Sequence, residues 1–260
     1  MFEPALEYSA AGLLGAIFSV GGRCLPRILL GRATIIEREV VQRVLGFLAS
    51  TAPTSALTTL VYGVAVACGV FTYTSGPDAF GVLVLPQLGG IFLRYVIPFA
   101  VANLVILKGV VGLTSDIASM RVSQEVDAIE AVGLHPAEMI FAPRALALIV
   151  TAPALAVIGV YAACLGGWLV SWIGVHTDFA EFVAIFVSSV SARAVLIVVV
   201  KLIITALTMS VIAGYFGFLS GRAEQGFVGR ITTSSAVMAV LAAAVVNVLL
   251  IVLSTAFHLE

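Results

Sequence analysis

Three carboxylates stand close together in the one long polar stretch of an otherwise apolar chain, between Asp116 and Arg144. They are Glu125, Asp127 and Glu130. Across the stretch five acids and two arginines give a local charge of −3. Only Lys and Arg orient a chain in a membrane, so the acids are not needed for insertion. A compact acidic cluster favours docking against a basic surface of another protein.

The residues around these acids predict a short helix, Gln124–Val132. Ser123 is expected to cap its N-terminus, where Glu125 also suits the helix dipole. Gly133 favours the left-handed conformation that ends a helix, and Pro136 prevents continuation. A helix of this length is unstable alone in water. Membrane-side helices or a partner must therefore cover its apolar stripe, formed by Val126, Ile129 and Val132. A solvated loop with a chance helical turn is the alternative.

Three cations lie inside apolar stretches, where ionisable groups are costly and by default functional. Arg94 could pair with the phosphate or carboxylate of a lipid headgroup. It could equally extend to the interface and anchor its helix there. Lys108 has the same two interpretations, and Lys201 lies several residues inside a later apolar stretch.

The elements that position these residues are membrane helices. Apolar residues make up 61% of the 260 residues and charged residues 10%, which excludes an ordinary soluble domain. Five stretches are long enough to cross a bilayer: Thr54–Tyr73, Gly89–Leu113, Arg144–Ile173, Ala192–Leu219 and Ser235–Phe257. A sixth, Phe179–Ser191, is too short and predicts a re-entrant or interfacial segment. The predicted fold is an all-α integral membrane protein.

Basic residues set the expected orientation and domain division. Arginines between Arg23 and Arg43 and in the polar stretch fall on one side of the five spans, which predicts a cytoplasmic N-terminus. Residues 1–50 are predicted to form one or two amphipathic interfacial helices. Residues 51–260 form the transmembrane domain, with the short acidic helix, at about residues 123–133, between the second and third spans.

Missing motifs exclude several kinds of chemistry. Neither Lys108 nor Lys201 lies in a phosphate-binding Gly-x-x-x-x-Gly-Lys-Ser/Thr loop, and no His-Glu-x-x-His or Gly-x-Ser-x-Gly is present. No metal site, cofactor or catalytic residue is expected, so the chain is predicted not to be an enzyme. A net charge of −1 argues against a nucleic-acid partner.

The polar stretch resembles the signature of the MlaE/YrbE permease family. Ser123 through Pro136 reads Ser-Gln-Glu-Val-Asp-Ala-Ile-Glu-Ala-Val-Gly-Leu-His-Pro, and Pro143-Arg144 follows at the next span. The family pattern is approximately Glu-Glu-Ile-Asp-Ala-Leu-x-x-Met-Gly-x-x-Pro, then Pro-Arg. The resemblance assigns the coupling of an ATPase to eight residues: Ser123, Glu125, Asp127, Glu130, Gly133, Pro136, Pro143 and Arg144.

The resemblance also implies a function and partners. Such permeases are the membrane subunits of ABC-type MCE lipid transporters of the inner, or plasma, membrane. Each docks a cytoplasmic ATPase, which binds the ATP, through the short helix. A second permease chain completes the core, and an MCE-domain hexamer forms a lipid tunnel on the outer side. Phospholipid, fatty acid or sterol would be the lipid moved.

One part of the chain departs from the family pattern. Where the family has Leu-Arg-Glu-x-Gly-Pro and later Ala-Gly-Arg-x-Gly, this chain keeps Arg94 and Pro98 but has Tyr95 for Glu and Lys108 for Arg. These four residues are the candidates for the lipid pathway. The divergence favours a heterodimer of two permease chains, with a homodimer as the alternative. An ion-gradient-driven secondary transporter and a structural anchor of an MCE complex are the competing functions.

Overall fold

The computed structural model describes residues 9–29, 35–73, 89–219 and 226–256, and these residues form helices and short connections, with no strand among them. In chain order the helices are α1 Ala10–Leu29, α2 Ile35–Tyr73, α3 Gly89–Val122, α4 Glu125–Ala131, α5 Ala137–Val175, α6 Phe179–Ser188, α7 Ala192–Leu219 and α8 Gly226–Ala256.

Five of these helices, α2, α3, α5, α7 and α8, are long and apolar enough to cross a membrane. They correspond one for one to the five predicted spans. The sixth apolar run is helix α6, whose 10 residues are too few to cross, as predicted. The predicted end of the last span at Phe257 lies outside the described residues. The chain is thus an all-α, multi-pass membrane protein.

The start of the first span differs from the prediction. Helix α2 begins at Ile35 and continues through Pro53 to Tyr73, so the predicted boundary at residue 50 falls inside a helix. Proline ends helices in water, but neighbouring helices and Ser or Thr side chains allow it inside membrane helices. Thr51, Thr54 and Ser55 surround this proline in the sequence. Residues 35–50 therefore belong to the first long helix rather than to a separate interfacial helix.

The described chain divides into two units, the first of which comprises residues up to 48, 104–151 and 204–246. Glycines allow α7 to pack closely here. A Cβ on Gly214 would lie 2.5 Å from the Phe141 ring, and one on Gly217 would lie 2.8 Å from Ile117. The hydroxyl groups of Thr114 and Ser235 are 2.8 Å apart, and both side chains are buried. Small residues and a buried hydroxyl pair hold α3, α5, α7 and α8 together in this unit.

Helix α1 packs one face onto the same unit. Leu13, Ile17 and Val20 are buried at helical spacing, while Phe18 on another face is 68% exposed. A Cβ on Gly21 would lie 3.2 Å from Leu146 of α5. An apolar face with this spacing is what a helix lying against a membrane domain requires.

The second unit comprises residues 49–103, 152–203 and those from 247 onward. Its α2 and α5 cross with backbones nearly in contact. A Cβ on Gly63 would lie 2.7 Å from the Ala163 carbonyl oxygen, and one on Gly166 would lie 2.5 Å from the Leu60 carbonyl oxygen. One turn of α5 away from Ala163, Gly159 faces Thr59. Such small residues let membrane helices gain dispersion contacts that larger side chains would prevent.

Candidate functional site

The acidic helix lies where the sequence predicts it, but it begins differently. Helix α4 has seven residues, and its N-cap is Gln124, with φ of 63° and no side-chain capping bond. Ser123 instead ends α3, where its hydroxyl donates to the Met120 carbonyl oxygen at 3.3 Å. The prediction of Ser123 as N-cap is wrong, because its hydroxyl is bonded back to the preceding helix.

The other end of α4 confirms the predicted stop. Gly133 has φ of +80°, and its N–H donates to the Glu130 carbonyl oxygen at 2.9 Å. The N–H of Leu134 donates to the Ile129 carbonyl oxygen at 3.2 Å. This pair of bonds is the Schellman motif, which satisfies carbonyls that the helix leaves without partners. Pro136 then stands at the N-cap of α5 with φ of −60°.

Two side chains fix α4 to the membrane helices. Val126 is completely buried. Asp127 Oδ1 accepts a bond from Arg121 Nη1 at 3.1 Å, and Arg121 Nε donates to the Phe218 carbonyl oxygen of α7 at 3.4 Å. Asp127 is thus engaged within the chain, which the acidic cluster in the sequence does not reveal. Helix α4 is thus bonded to Arg121 at the end of α3, and the same arginine bonds to α7.

The remaining residues of the segment face outward. Glu125 and Glu130 are exposed. Among the apolar side chains, Val132 is 76% exposed, and Leu134 and Met139 are also exposed. We call these five residues the docking surface. Val126 of the predicted stripe is covered by the chain itself and Ile129 is half-buried, but Val132 is left for something else to cover.

Arg144 connects the start of α5 to the end of α3. Its Nη1 donates to the Ile140 carbonyl oxygen at 3.3 Å, and its Nε lies 3.9 Å from Asp116 Oδ2. Pro143 is buried directly after a π-helical turn at Ala137–Phe141. A proline ring clashes with the carbonyl four residues earlier in a regular helix, so a widened turn suits it. Pro143 and Arg144 thus hold the start of α5, where the chain passes from the docking surface into the membrane domain.

A contact that the sequence does not reveal joins α1 to this region. Ser19 Oγ donates to Glu138 Oε1 at 2.9 Å. Glu138 lies in the π-helical turn that opens α5. The two residues are 119 positions apart, and no periodicity or spacing in the sequence relates them.

Two of the lipid-pathway candidates, Arg94 and Lys108, lie where the backbone departs from a regular α-helix. Helix α3 contains two π-helical turns, Phe92–Val96 and Val105–Val110, and Arg94 lies in the first and Lys108 in the second. Such turns are rare and occur often at functional sites. Arg94 and Lys108 are half-buried, Tyr95 is 44% exposed and Pro98 is buried.

Arg94 and Tyr95 share a cavity in the second unit with residues that the sequence does not connect to them. The others lining it are Ala194, Ile197, Val198, Lys201 and Ser254. Lys201 is only 6% exposed, and its Nζ donates to Ser254 Oγ at 3.4 Å. Lys108 is not among the residues lining this cavity. The structure therefore brings two of the four lipid-pathway candidates together and adds a buried lysine.

Comparison with known proteins shows what the chain is similar to. The family described as Permease MlaE matches residues 40–253, which include every candidate above except Ser19 and Ser254. A protein of Rickettsia typhi named "Probable ABC transporter permease protein" is 31% identical over 134 residues, 51% of each chain. One of Rickettsia felis with the same name is 31% identical over 125 residues, 48% of each chain. The chain thus spans about half the length of the curated relatives it matches.

Proposed function

Because the chain belongs to the MlaE permease family, we propose that it is the membrane subunit of an ABC-type MCE lipid transporter. A separate cytoplasmic ATPase binds and hydrolyses ATP and docks on α4. The docking surface carries the proposal, because it combines exposed acids of α4, a helix bonded to the membrane domain, with exposed apolar side chains that follow α4 in the chain.

The same proposal places the chain and its partners. It lies in the inner, or plasma, membrane with the docking surface and the N-terminus in the cytoplasm. A second permease chain, favoured to be a paralogue, completes the transmembrane core, and an MCE-domain hexamer stands on the outer side. The names of the Rickettsia relatives support an ABC transporter.

The contacts of α4 suggest how force enters the membrane domain. ATP-driven approach of two ATPase subunits would push α4 as a rigid body. Arg121 would pass the movement to α7 through its bond to the Phe218 carbonyl oxygen, and Arg144 would pass it between α3 and α5. A ligand shifts an equilibrium only through differential contacts with two states. Here those contacts are the ones between the ATPase and the docking surface.

Charge reversal tests the docking. Glu125→Lys with Glu130→Lys should weaken retention of the ATPase about tenfold or more, since like charges at an interface repel. The measurement is co-purification of the ATPase with the membrane-inserted complex. Asp178→Lys with Glu181→Lys is the matched control, because it makes the same charge change on exposed residues at the N-terminal end of α6.

The control should retain the ATPase fully. Undiminished retention in the Glu125/Glu130 double variant would refute the docking assignment. Transport of lipid by the isolated chain in liposomes under an ion gradient, with no ATPase present, would favour a secondary transporter instead. An intact complex that transports lipid normally after substitution of the lipid-pathway candidates of this chain would indicate a structural anchor.

A further inference from the structure

The turn that opens α5 links the docking surface to the membrane domain. Met139 of the docking surface lies within this turn, and Leu134 lies two residues before Pro136, its N-cap. The N–H groups of Glu138 and Met139 both donate to the His135 carbonyl oxygen, at 3.1 Å. Because the chain passes directly from Leu134 through this turn into α5, a push on the docking surface enters α5 here.

This turn is π-helical over Ala137–Phe141. π-Helical turns are rare, so one that persists needs support from neighbouring contacts. Its apolar side chains Ala137, Ile140 and Phe141 are buried. Glu138 is half-buried, and a carboxylate partly removed from water needs hydrogen-bond donors. The polar side of the turn therefore depends on the groups that bond to Glu138.

Helix α1 supplies such a bond from a distant part of the sequence. Ser19 Oγ donates to Glu138 Oε1 at 2.9 Å, and α1 contacts the turn. Beyond the turn, a Cβ on Gly21 would lie 3.2 Å from Leu146 Cδ2. Helix α1 thus meets α5 both before and after Pro143, a residue that removes a backbone bond from its helix. A helix attached at both places can stiffen the start of α5 against bending.

The geometry points to α1 as a support that keeps the opening turn of α5 rigid, with Ser19 and Glu138 as positioning residues for the coupling of ATP hydrolysis to the membrane domain. The inference rests on the proposed function, because it takes the docking surface to receive force from an ATPase. It goes further by giving a coupling role to a helix outside the docking surface and outside residues 40–253, which match the family. Without this support the turn would yield locally, and the push would be lost before it reached the rest of α5.

The test uses the full chain assembled with its partners in nanodiscs. Hydrogen exchange of residues 137–151 is measured without nucleotide and after trapping with ADP and vanadate. In the wild type, trapping should change the exchange about fivefold or more, because exchange reports local opening. Ser19→Ala should reduce this difference to under about twofold, since hydrogen bonds to charged groups are the strong ones. The ATPase should still be retained, because Ser19 lies outside the docking surface.

Matched variants separate positioning from packing. Ser19→Thr and Ser19→Val have nearly the same shape and differ in the hydroxyl group, so the first should keep the nucleotide-dependent difference and the second should lose it. Glu138→Gln keeps an accepting oxygen and should keep most of the difference, whereas Glu138→Leu should lose it. Ser119→Ala is the control, because the Ser119 hydroxyl donates to the Ser115 carbonyl oxygen of its own helix, at 2.8 Å. It should leave the difference unchanged.

Three results would overturn the support by α1. They are a difference that survives Ser19→Ala and Glu138→Leu, a difference lost equally in Ser19→Thr and Ser19→Val, and a wild-type complex that retains the ATPase but shows no difference in residues 137–151. The second would indicate a packing role alone. In all three cases the ATPase is retained and only this inference fails. If the wild-type complex does not hold the ATPase, the proposed function fails.

Discussion

The acidic segment, residues 123–136, and the crossing of α2 with α5 are stabilised in opposite ways. The segment depends on residues adjacent in sequence, such as the pair of bonds at Gly133 and the pair of Arg121 with Asp127. The crossing depends on Gly63 and Gly166, which meet residues about a hundred positions away. The segment is exposed and tolerates small adjustments, whereas the crossing has no free space. Substitutions should therefore have small, local effects in the first region and large, global effects in the second.

The largest expected effect is at the crossing. In Gly166→Leu the new Cβ would lie 2.5 Å from the Leu60 carbonyl oxygen, a backbone atom that cannot move without shifting α2. Overpacking of this kind costs roughly 1–3 kcal/mol or more. We expect a clear fall in the apparent thermal midpoint of the detergent-solubilised protein, followed by size-exclusion chromatography after heating.

Gly112→Leu is the control for this change. Gly112 lies in α3, and a Cβ there would meet nothing within 4 Å. It should leave the midpoint nearly unchanged. Equal midpoints for the two variants would show that the close crossing contributes nothing to stability.

An intermediate effect is expected at the end of α4. Gly133 has φ of +80°, where a side chain costs roughly 1–2 kcal/mol although no atom lies within 4 Å of the Cβ position. Gly133→Ala should increase hydrogen exchange of the Gly133 and Leu134 amides and leave the global midpoint almost unaltered. Gly133→Asn, which tolerates the left-handed conformation better, should show a smaller increase. A drop in midpoint as large as that of Gly166→Leu would contradict the local character of the segment.

The smallest effect is expected from the Arg121–Asp127 pair. The Asp127 side chain is 35% exposed, and such pairs contribute about 0–1 kcal/mol. Asp127→Asn should leave the midpoint within error and weaken ATPase retention only slightly, far less than the reversal of Glu125 and Glu130. A double-mutant cycle with Arg121→Met measures the coupling between the two residues. Loss of the ATPase in Asp127→Asn as complete as in the Glu125/Glu130 variant would mean that Asp127 contacts the partner.

The same contrast explains what the sequence could and could not predict. The five spans and the stop at Gly133 follow from hydrophobic length and from one glycine conformation, which are local properties. The sequence predicts Ser123 as an N-cap because capping residues are recognised by type. The left-handed conformation of Gln124 makes Gln124 the N-cap of α4 instead and leaves Ser123 at the end of α3. Lys201 and Ser254 meet across 53 residues, and no local signal relates them. The sequence alone therefore locates the acidic segment and does not reveal the buried contact between Lys201 and Ser254.

The two π-helical turns of α3 have a consequence for comparing relatives. Each such turn holds one residue more than a turn of regular helix, and an added or lost residue would otherwise rotate everything beyond it by about 100°. Single-residue insertions and deletions can therefore be absorbed near Arg94 and near Lys108 without disturbing the packing of the flanking turns. An alignment of this helix across the family should tolerate gaps at those two places and nowhere between them.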